Sequence, residues 1–289
     1  MTGPRVAFLG PSGTFTEEAL RASAGAEVED VPQPSVYEAV MAVQNGDTPY
    51  AVVPIENSLE GSVTATLDAL AGEASGVSIA AEVVHPIRHC LLVRPGVELR
   101  QVTRVLSHPQ ALGQCLRYLR AALPQAERTS APSTADAART VAGSGEPWAA
   151  VGSGLAAWLY GCAVADEGIE DRAGNLTRFV WLARTGDALP WSLDPSAPRR
   201  TSIVFWGFND TAPGALVAVL RELSDRGLNL TKIESRPRGE ELGHYMFFAD
   251  VEGGVETEPL PSALDALTGR VEELRVLGSY PVAGPPAAG

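Results

Sequence analysis

The sequence predicts an α/β fold over its first two-thirds, followed by a smaller ferredoxin-like domain. Three observations lead there. Short apolar runs alternate with helical patterns up to about residue 183, as in a strand–helix repeat with a mainly parallel sheet. Residues 189–198, LPWSLDPSAP, hold three prolines, which neither a helix interior nor a central strand accommodates. Beyond Thr201 the pattern restarts in the compact order βαββαβ.

Residues 5–9 read as the first strand, and the capping-box spacing of Thr14 and Glu17 starts a helix after it. Residues 50–55 are a second strand, with a helix after Gly61. Strands are expected at 79–84 and 90–93, around His85 and Pro86, and at 102–106. Leu112, Cys115, Leu116 and Leu119 recur at i, i+3, i+4, i+7, which predicts a helix with one buried face. Ser133 and Asp136 repeat the capping spacing, and strands at 149–151 and 176–183 complete the first part. In the second part a strand covers 202–208. Residues 209–213 open a helix whose Leu216, Val219, Leu220 and Leu223 share a face, and Gly227 stops it. Strands at 228–235 and 244–251, a helix at 262–269 and a strand at 274–280 follow. The expected division is a first domain at 1–188, a linker at 189–199, a second domain at 200–281 and a disordered tail at 282–289.

The 289 residues suffice for two domains with cores of their own. A net charge of −13 speaks against non-specific nucleic-acid binding. Lys232 is the only lysine, so arginine supplies nearly all the positive charge. Three cysteines, an odd number without CxxC spacing, argue against disulfides and a cysteine zinc site, and fit reduced thiols in a core. No signal-peptide pattern or 18-residue apolar run is present, so a cytoplasmic protein without membrane contact is expected. His85 and His89 are four apart, yet Pro86 and the flanking valines favour an extended segment, which speaks against a helical metal pair. GK[ST], GxGxxG and GxSxG are all missing, and no cofactor is expected.

Four polar clusters sit at ends of expected strands: residues 10–14 (GPSGT), 54–58 (PIENS), 107–110 (SHPQ, with Gln114 one turn on) and 175–179 (NLTRF). In an α/β sheet, ligands bind beyond the carboxyl ends of the strands. Each cluster alone is equally a turn or a helix cap, and His108 in particular suits a cap beside Pro109.

At these residues the sequence resembles the prephenate dehydratase family. FLGPSGTFTEEA, VPIENSLEGSV, SHPQALGQC, STADAA and NLTRFVWLAR are similar to its successive blocks, in its order. The C-terminal part resembles an ACT domain, with Gly214-Ala215-Leu216-Val217 and Glu234-Ser235-Arg236-Pro237 similar to its GALV and ESRP motifs. The resemblance implies a two-lobed catalytic domain of the type II periplasmic-binding-protein kind, with the site between the lobes. It implies conversion of prephenate to phenylpyruvate and a homodimer or homotetramer. L-Phenylalanine would bind at Gly214 to Val217 and Glu234 to Pro237 and inhibit. Thr177 is implied as the catalytic group, with Thr14, Glu56, Asn57, Ser107, Gln114 and Arg178 at the substrate. Strand alternation puts Thr177 and Arg178 on opposite faces, so Arg178 either meets substrate or braces the lobes through Glu56 or another acid. Arogenate dehydratase and a non-enzymatic two-lobed amino-acid sensor are the alternatives.

Overall fold

A computed structural model describes residues 3–208, 212–239 and 243–284. The first lobe is built from β1 (Arg5–Leu9), α1 (Phe15–Ser23), β2 (Glu29–Gln33), α2 (Val36–Asn45), β3 (Tyr50–Asn57), the short β4 (Gly61–Ser62), α3 (Thr64–Ala71) and β5 (Val77–Pro86). Residues 87–89 carry the chain into the second lobe. There follow β6 (Cys90–Val93), β7 (Arg104–Ser107), α4 (Pro109–Gln114), α5 (Leu116–Ala122), β8 (Glu127–Ser130), α6 (Thr134–Gly143), β9 (Trp148–Gly152), α7 (Gly154–Tyr160) and β10 (Ala163–Glu167). Residues 168–175 lead back, and β11 (Leu176–Arg184) enters the first sheet.

The first sheet has the order β2-β1-β3-β11-β5 and the second β10-β6-β9-β7-β8. In each, one strand comes from the other lobe and runs against its neighbours. β11 is antiparallel to β3 and β5, and β6 to β9 and β10, whereas β1 and β7 pair only in parallel. The sheets are therefore mixed, which corrects the expectation of a mainly parallel sheet. Crossing between lobes reverses the direction of the entering strand.

Four strands escaped the sequence reading: β2, β8, β10 and the two-residue β4. All are edge strands with little buried side-chain surface. An edge strand packs few apolar groups, so it leaves a weak hydrophobic pattern. The helices α2 and α7 were missed as well. The expected single helix through Leu112 and Leu119 is two short ones that meet at Cys115 (φ −112°, ψ 16°). The capping expectations stand: Thr14 and Ser133 accept from the backbone of Glu17 and Asp136. Cys90 and Cys115 are buried free thiols, their pKa pushed up by burial to about 11 and about 12.

The C-terminal domain is β12 (Arg199–Trp206), α8 (Ala215–Ser224), β13 (Leu230–Pro237), β14 (Tyr245–Glu252), α9 (Leu260–Thr268) and β15 (Glu273–Pro281). Its antiparallel sheet has the order β13-β14-β12-β15, the ferredoxin-like arrangement. The helix-opening residues 209–211 and the tail residues 285–289 lie outside the described residues. One face of the sheet packs Ile203, Phe205, Ala249 and Val251 against Val219, Leu223, Leu260 and Leu267 of the two helices. The other face joins the first lobe: Val204, Phe248, Leu277 and Tyr280 share one core with Ile55, Leu67, Leu70 and Ile79. Burying such side chains contributes about 1.5–3 kcal/mol each, so the sheet is docked and not merely tethered. Gly278 of β15 lies so close to β5 that a Cβ there would collide with the backbone of Ile79. The segment between β11 and β12 is irregular but held, with Leu189 buried and the Trp191 ring edge-on to Trp181 at 4.9 Å.

Candidate active site

A cleft of about 420 Å³ lies between the two lobes. Its walls are strand ends and the turns after them: Leu9, Gly10, Pro11 and Thr14 after β1, Pro54 and Asn57 from β3, His108, Gln110 and Gln114 after β7, Ser133 and Thr134 after β8, and Asn175, Thr177 and Phe179 at the start of β11. The lobes are clasped on one side. Ser153 donates to the Gly13 carbonyl (2.9 Å), Tyr160 to that of Ser12 (2.6 Å), and the Leu155 N–H to Glu18 (3.1 Å). Gly13 has φ +89°, and a Cβ there would press on Tyr160 and Ala156 of α7, so only glycine allows this approach.

A directed chain of hydrogen bonds runs along one wall. Asn57 Oδ1 accepts from the backbone N–H groups of Leu59 (2.9 Å) and Glu60 (3.0 Å). Those donors fix the amide orientation, so Nδ2 is the donor side. Nδ2 donates to Thr177 Oγ1 (2.8 Å) and to Asn175 Oδ1 (2.8 Å). Asn175 Nδ2 donates in turn to Gln114 Oε1 (3.3 Å), and Gln114 Nε2 to the Glu60 carboxylate (3.2 Å) across the lobes. His89 Nε2 lies 2.9 Å from the same Gln114 oxygen, which makes it an N–H donor and leaves Nδ1 as the lone-pair nitrogen.

Thr177 is 7% exposed and lines the cleft. Its oxygen accepts from Asn57, so its own proton is available to a group in the cleft. A donor on a hydroxyl oxygen strengthens that hydroxyl as a donor. The pairing also explains its aim. Against β3 the register slips between Arg178 and Phe179, a bulge beside Thr177. Bulges re-aim side chains next to active sites.

Of the residues expected at the substrate, Thr14, Asn57 and Gln114 line the cleft with Thr177. Three others are placed elsewhere. Ser107 is fully buried and donates to the Val151 carbonyl (2.6 Å). Arg178 points to the opposite face of the sheet, where it meets Asp250 of β14 at 2.7 Å and Glu82 and Glu56 at 3.7 Å. Burial opposes its charge, but Asp250, Tyr280 and Glu82 together outweigh that and raise its pKa. Glu56 accompanies it, also facing Lys232 at 3.6 Å. Of the two roles left open for Arg178, bracing is the one the geometry fits, but to the C-terminal sheet. Alternation along β11 is the physical reason. His108 caps α4, its ring accepting from the Gln110 N–H (3.4 Å), and also lines the cleft.

Asn175 and His89 went unassigned in the sequence. Asn175 opens the NLTRF block, and its position two residues before Thr177 was the available signal. His89 offered none, since its wall position depends on the crossing between lobes. It is 2% exposed and faces Phe15 edge-on. Burial lowers its pKa, against smaller upward pulls from Gln114 and Glu170, and leaves the ring neutral. An unfolded histidine protonates below about pH 6.5. The unfolded chain then binds the additional proton, so stability from this ring is intact above that pH and declines below it. Between about pH 7.5 and about pH 5.5 the wild type should lose more melting temperature than His89→Gln. Equal losses in a thermal scan would refute this.

The C-terminal motifs are divided between faces. Gly214, at φ +84°, caps α8, and Ala215, Leu216 and Val217 form its first turn, with Val217 exposed. On β13, Glu234 and Arg236 face the first lobe, where Arg236 grips Asp68 with two bonds (3.1 and 2.6 Å). Ser235 and Pro237 alternate to the helix-bearing side.

A family model described as prephenate dehydratase matches residues 6–187, and one described as ACT domain matches residues 203–269. The chain is 41% identical over 292 residues to a prephenate dehydratase of Mycolicibacterium vanbaalenii, with 96% of this chain and 91% of that one covered. The solved structure of a prephenate dehydratase from Arthrobacter aurescens in complex with L-Phe matches with a TM-score of 0.86 at 38% identity, covering 98% and 93% of the two chains. A structure described as GqqA, a novel type of quorum quenching acylase, matches with a TM-score of 0.84 at 33% identity, covering 97% and 98%.

Proposed function

This chain belongs to the prephenate dehydratase family and carries an ACT domain, and from that premise we propose that the interlobe cleft converts prephenate to phenylpyruvate with Thr177 at the departing oxygen. The carrying observation is the direction of the Asn57–Thr177 hydrogen bond, which presents a hydroxyl proton to the cleft.

Prephenate has a ring carboxylate, a pyruvyl carboxylate and a hydroxyl on the opposite ring carbon. The bond from ring to carboxylate breaks, its electron pair enters the ring, and the carbon–oxygen bond at the far carbon breaks. Carbon dioxide leaves, the departing oxygen takes a proton to become water, and the ring becomes aromatic. Aromatisation drives the reaction, and the barrier lies in the leaving group. Thr177, held by Asn57, donates a hydrogen bond to the departing oxygen and keeps its proton, while the proton that completes the water is drawn from solvent. The described lining of the cleft has no arginine or lysine. The carboxylates are held by neutral donors: Gln110, the second Nε2 hydrogen of Gln114, and Thr134 at the start of α6, whereas the Thr14 and Ser133 hydroxyls already donate to the Leu9 carbonyl and to Asp136. The N–H groups at the starts of α1 and α6 add positive potential.

The acylase likeness gains no support from this wall. A nucleophilic hydroxyl must hand its proton to a base, and the partner of Thr177 is a donor. The ACT domain senses L-phenylalanine, which lowers turnover through an oligomer. The coupling is reciprocal, so prephenate weakens phenylalanine binding. Incubating the protein separately with prephenate and arogenate, and following phenylpyruvate and phenylalanine, tests the reading. Formation of phenylpyruvate from prephenate supports it. Turnover of arogenate alone, or of neither, overturns it.

A further inference from the structure

The two residues at the reacting centre have neighbours that reach out of the catalytic lobe. Thr177 is followed by Arg178, and Asn57 is preceded by Glu56. These pairs sit opposite each other on β11 and β3, at the bulge. Arg178 and Glu56 both turn to the C-terminal sheet, where Asp250 takes Arg178 at 2.7 Å and Lys232 lies 3.6 Å from Glu56. Asp250 is itself fixed. Its other oxygen accepts from Ser202 (2.6 Å), whose hydroxyl also bonds the buried Tyr280 phenol (2.6 Å). Lys232 is held by Ser62 Oγ of β4 at 2.6 Å, and lies two residues before Glu234 on β13. Arg178 is 10% exposed at its side chain, so its charge relies on these partners.

We propose that Asp250 and Lys232, on the ACT sheet, are positioning residues for the dehydratase reaction, which fix the Thr177–Asn57 pair by clamping Arg178 and Glu56. Neither touches the cleft. Each holds one side of the bulge from behind, so the hydroxyl–amide geometry depends on where the ACT sheet lies. A displacement of β13 or β14 is then felt at the reacting centre without any change in the cleft lining. This rests on the dehydratase reading.

The test compares Asp250→Asn, Lys232→Met and Lys232→Arg with the wild type, measuring kcat and KM for prephenate and the melting temperature. Small displacements of a reacting group cost up to about 10²-fold in rate, so Asp250→Asn and Lys232→Met should lower kcat about 10- to 100-fold. KM should stay within about twofold, because no group that binds substrate is removed. Lys232→Arg keeps the charge and should recover most of kcat. A variant with a lower melting temperature but unchanged kcat would show that the clamps serve stability only, and would overturn the proposal. If Asp250→Asn fails to fold, the two Lys232 variants decide. A wild type that does not turn over prephenate refutes the dehydratase reading and this proposal with it, whereas an active wild type with unaffected variants refutes the proposal alone.

Discussion

Thr177→Ala is expected to lower kcat by about 10²- to 10³-fold, the range for loss of one preorganised hydrogen-bond donor at a developing charge. The fold should be unchanged. Without the hydroxyl, Asn57 Nδ2 still has Asn175 Oδ1 at 2.8 Å and the Leu176 carbonyl at 3.2 Å, so no buried donor is orphaned. KM should change little, since the hydroxyl acts where charge develops and not on the carboxylates. Thr177→Ser restores a hydroxyl but not the methyl that limits its rotamers, and should recover part of the rate. Steady-state phenylpyruvate formation, with circular dichroism as a fold control, checks both. A near-normal kcat in Thr177→Ala would remove this residue from the mechanism.

The second large effect is expected at Asn57, where one atom decides the direction of the whole chain. Asn57→Asp keeps an oxygen facing the Leu59 and Glu60 N–H groups, so the turn after β3 should survive. The amide nitrogen becomes an acceptor. Thr177 must then donate backwards into the carboxylate, and its proton is no longer presented to substrate. Asn175 Oδ1 loses its donor and turns, which disturbs its bond to Gln114. Removal of one preorganised donor at a developing charge typically costs about 10²- to 10³-fold in kcat. The effect should persist with saturating prephenate. A variant with intact secondary structure and wild-type kcat would show that the direction of this hydrogen bond is irrelevant to the chemistry.

Much of this was legible from residue types alone, because local chemistry enforces it. Thr14 and Ser133 were readable as caps, since a helix start must satisfy its free N–H groups. The βαββαβ order of the C-terminal domain followed from apolar periodicity and the stop at Gly227. Other features depend on distant pairing. β8 has no apolar signature, since it needs only the backbone of β7 to exist as an edge. Arg178 belongs to a block that resembles a family motif, which says that the residue matters but not which way it faces. Its partner Asp250 is 72 residues away, in another domain. His89 reaches the wall only because the chain passes between lobes where it does.

Gly278 bears on how the regulatory half is seated. Bare backbone at that point lets β15 lie flush on β5, and Tyr280, two residues further on, reaches Ser202. The ACT sheet is therefore no pendulum on a proline-rich string. The stretch between β11 and β12 sets no swing radius, and its length is a matter of bridging a gap already spanned by packing. Even a methyl group at Gly278 would wedge the two sheets apart, so the fit between the regulatory half and the first lobe is set at this strand and not by the chain that joins them.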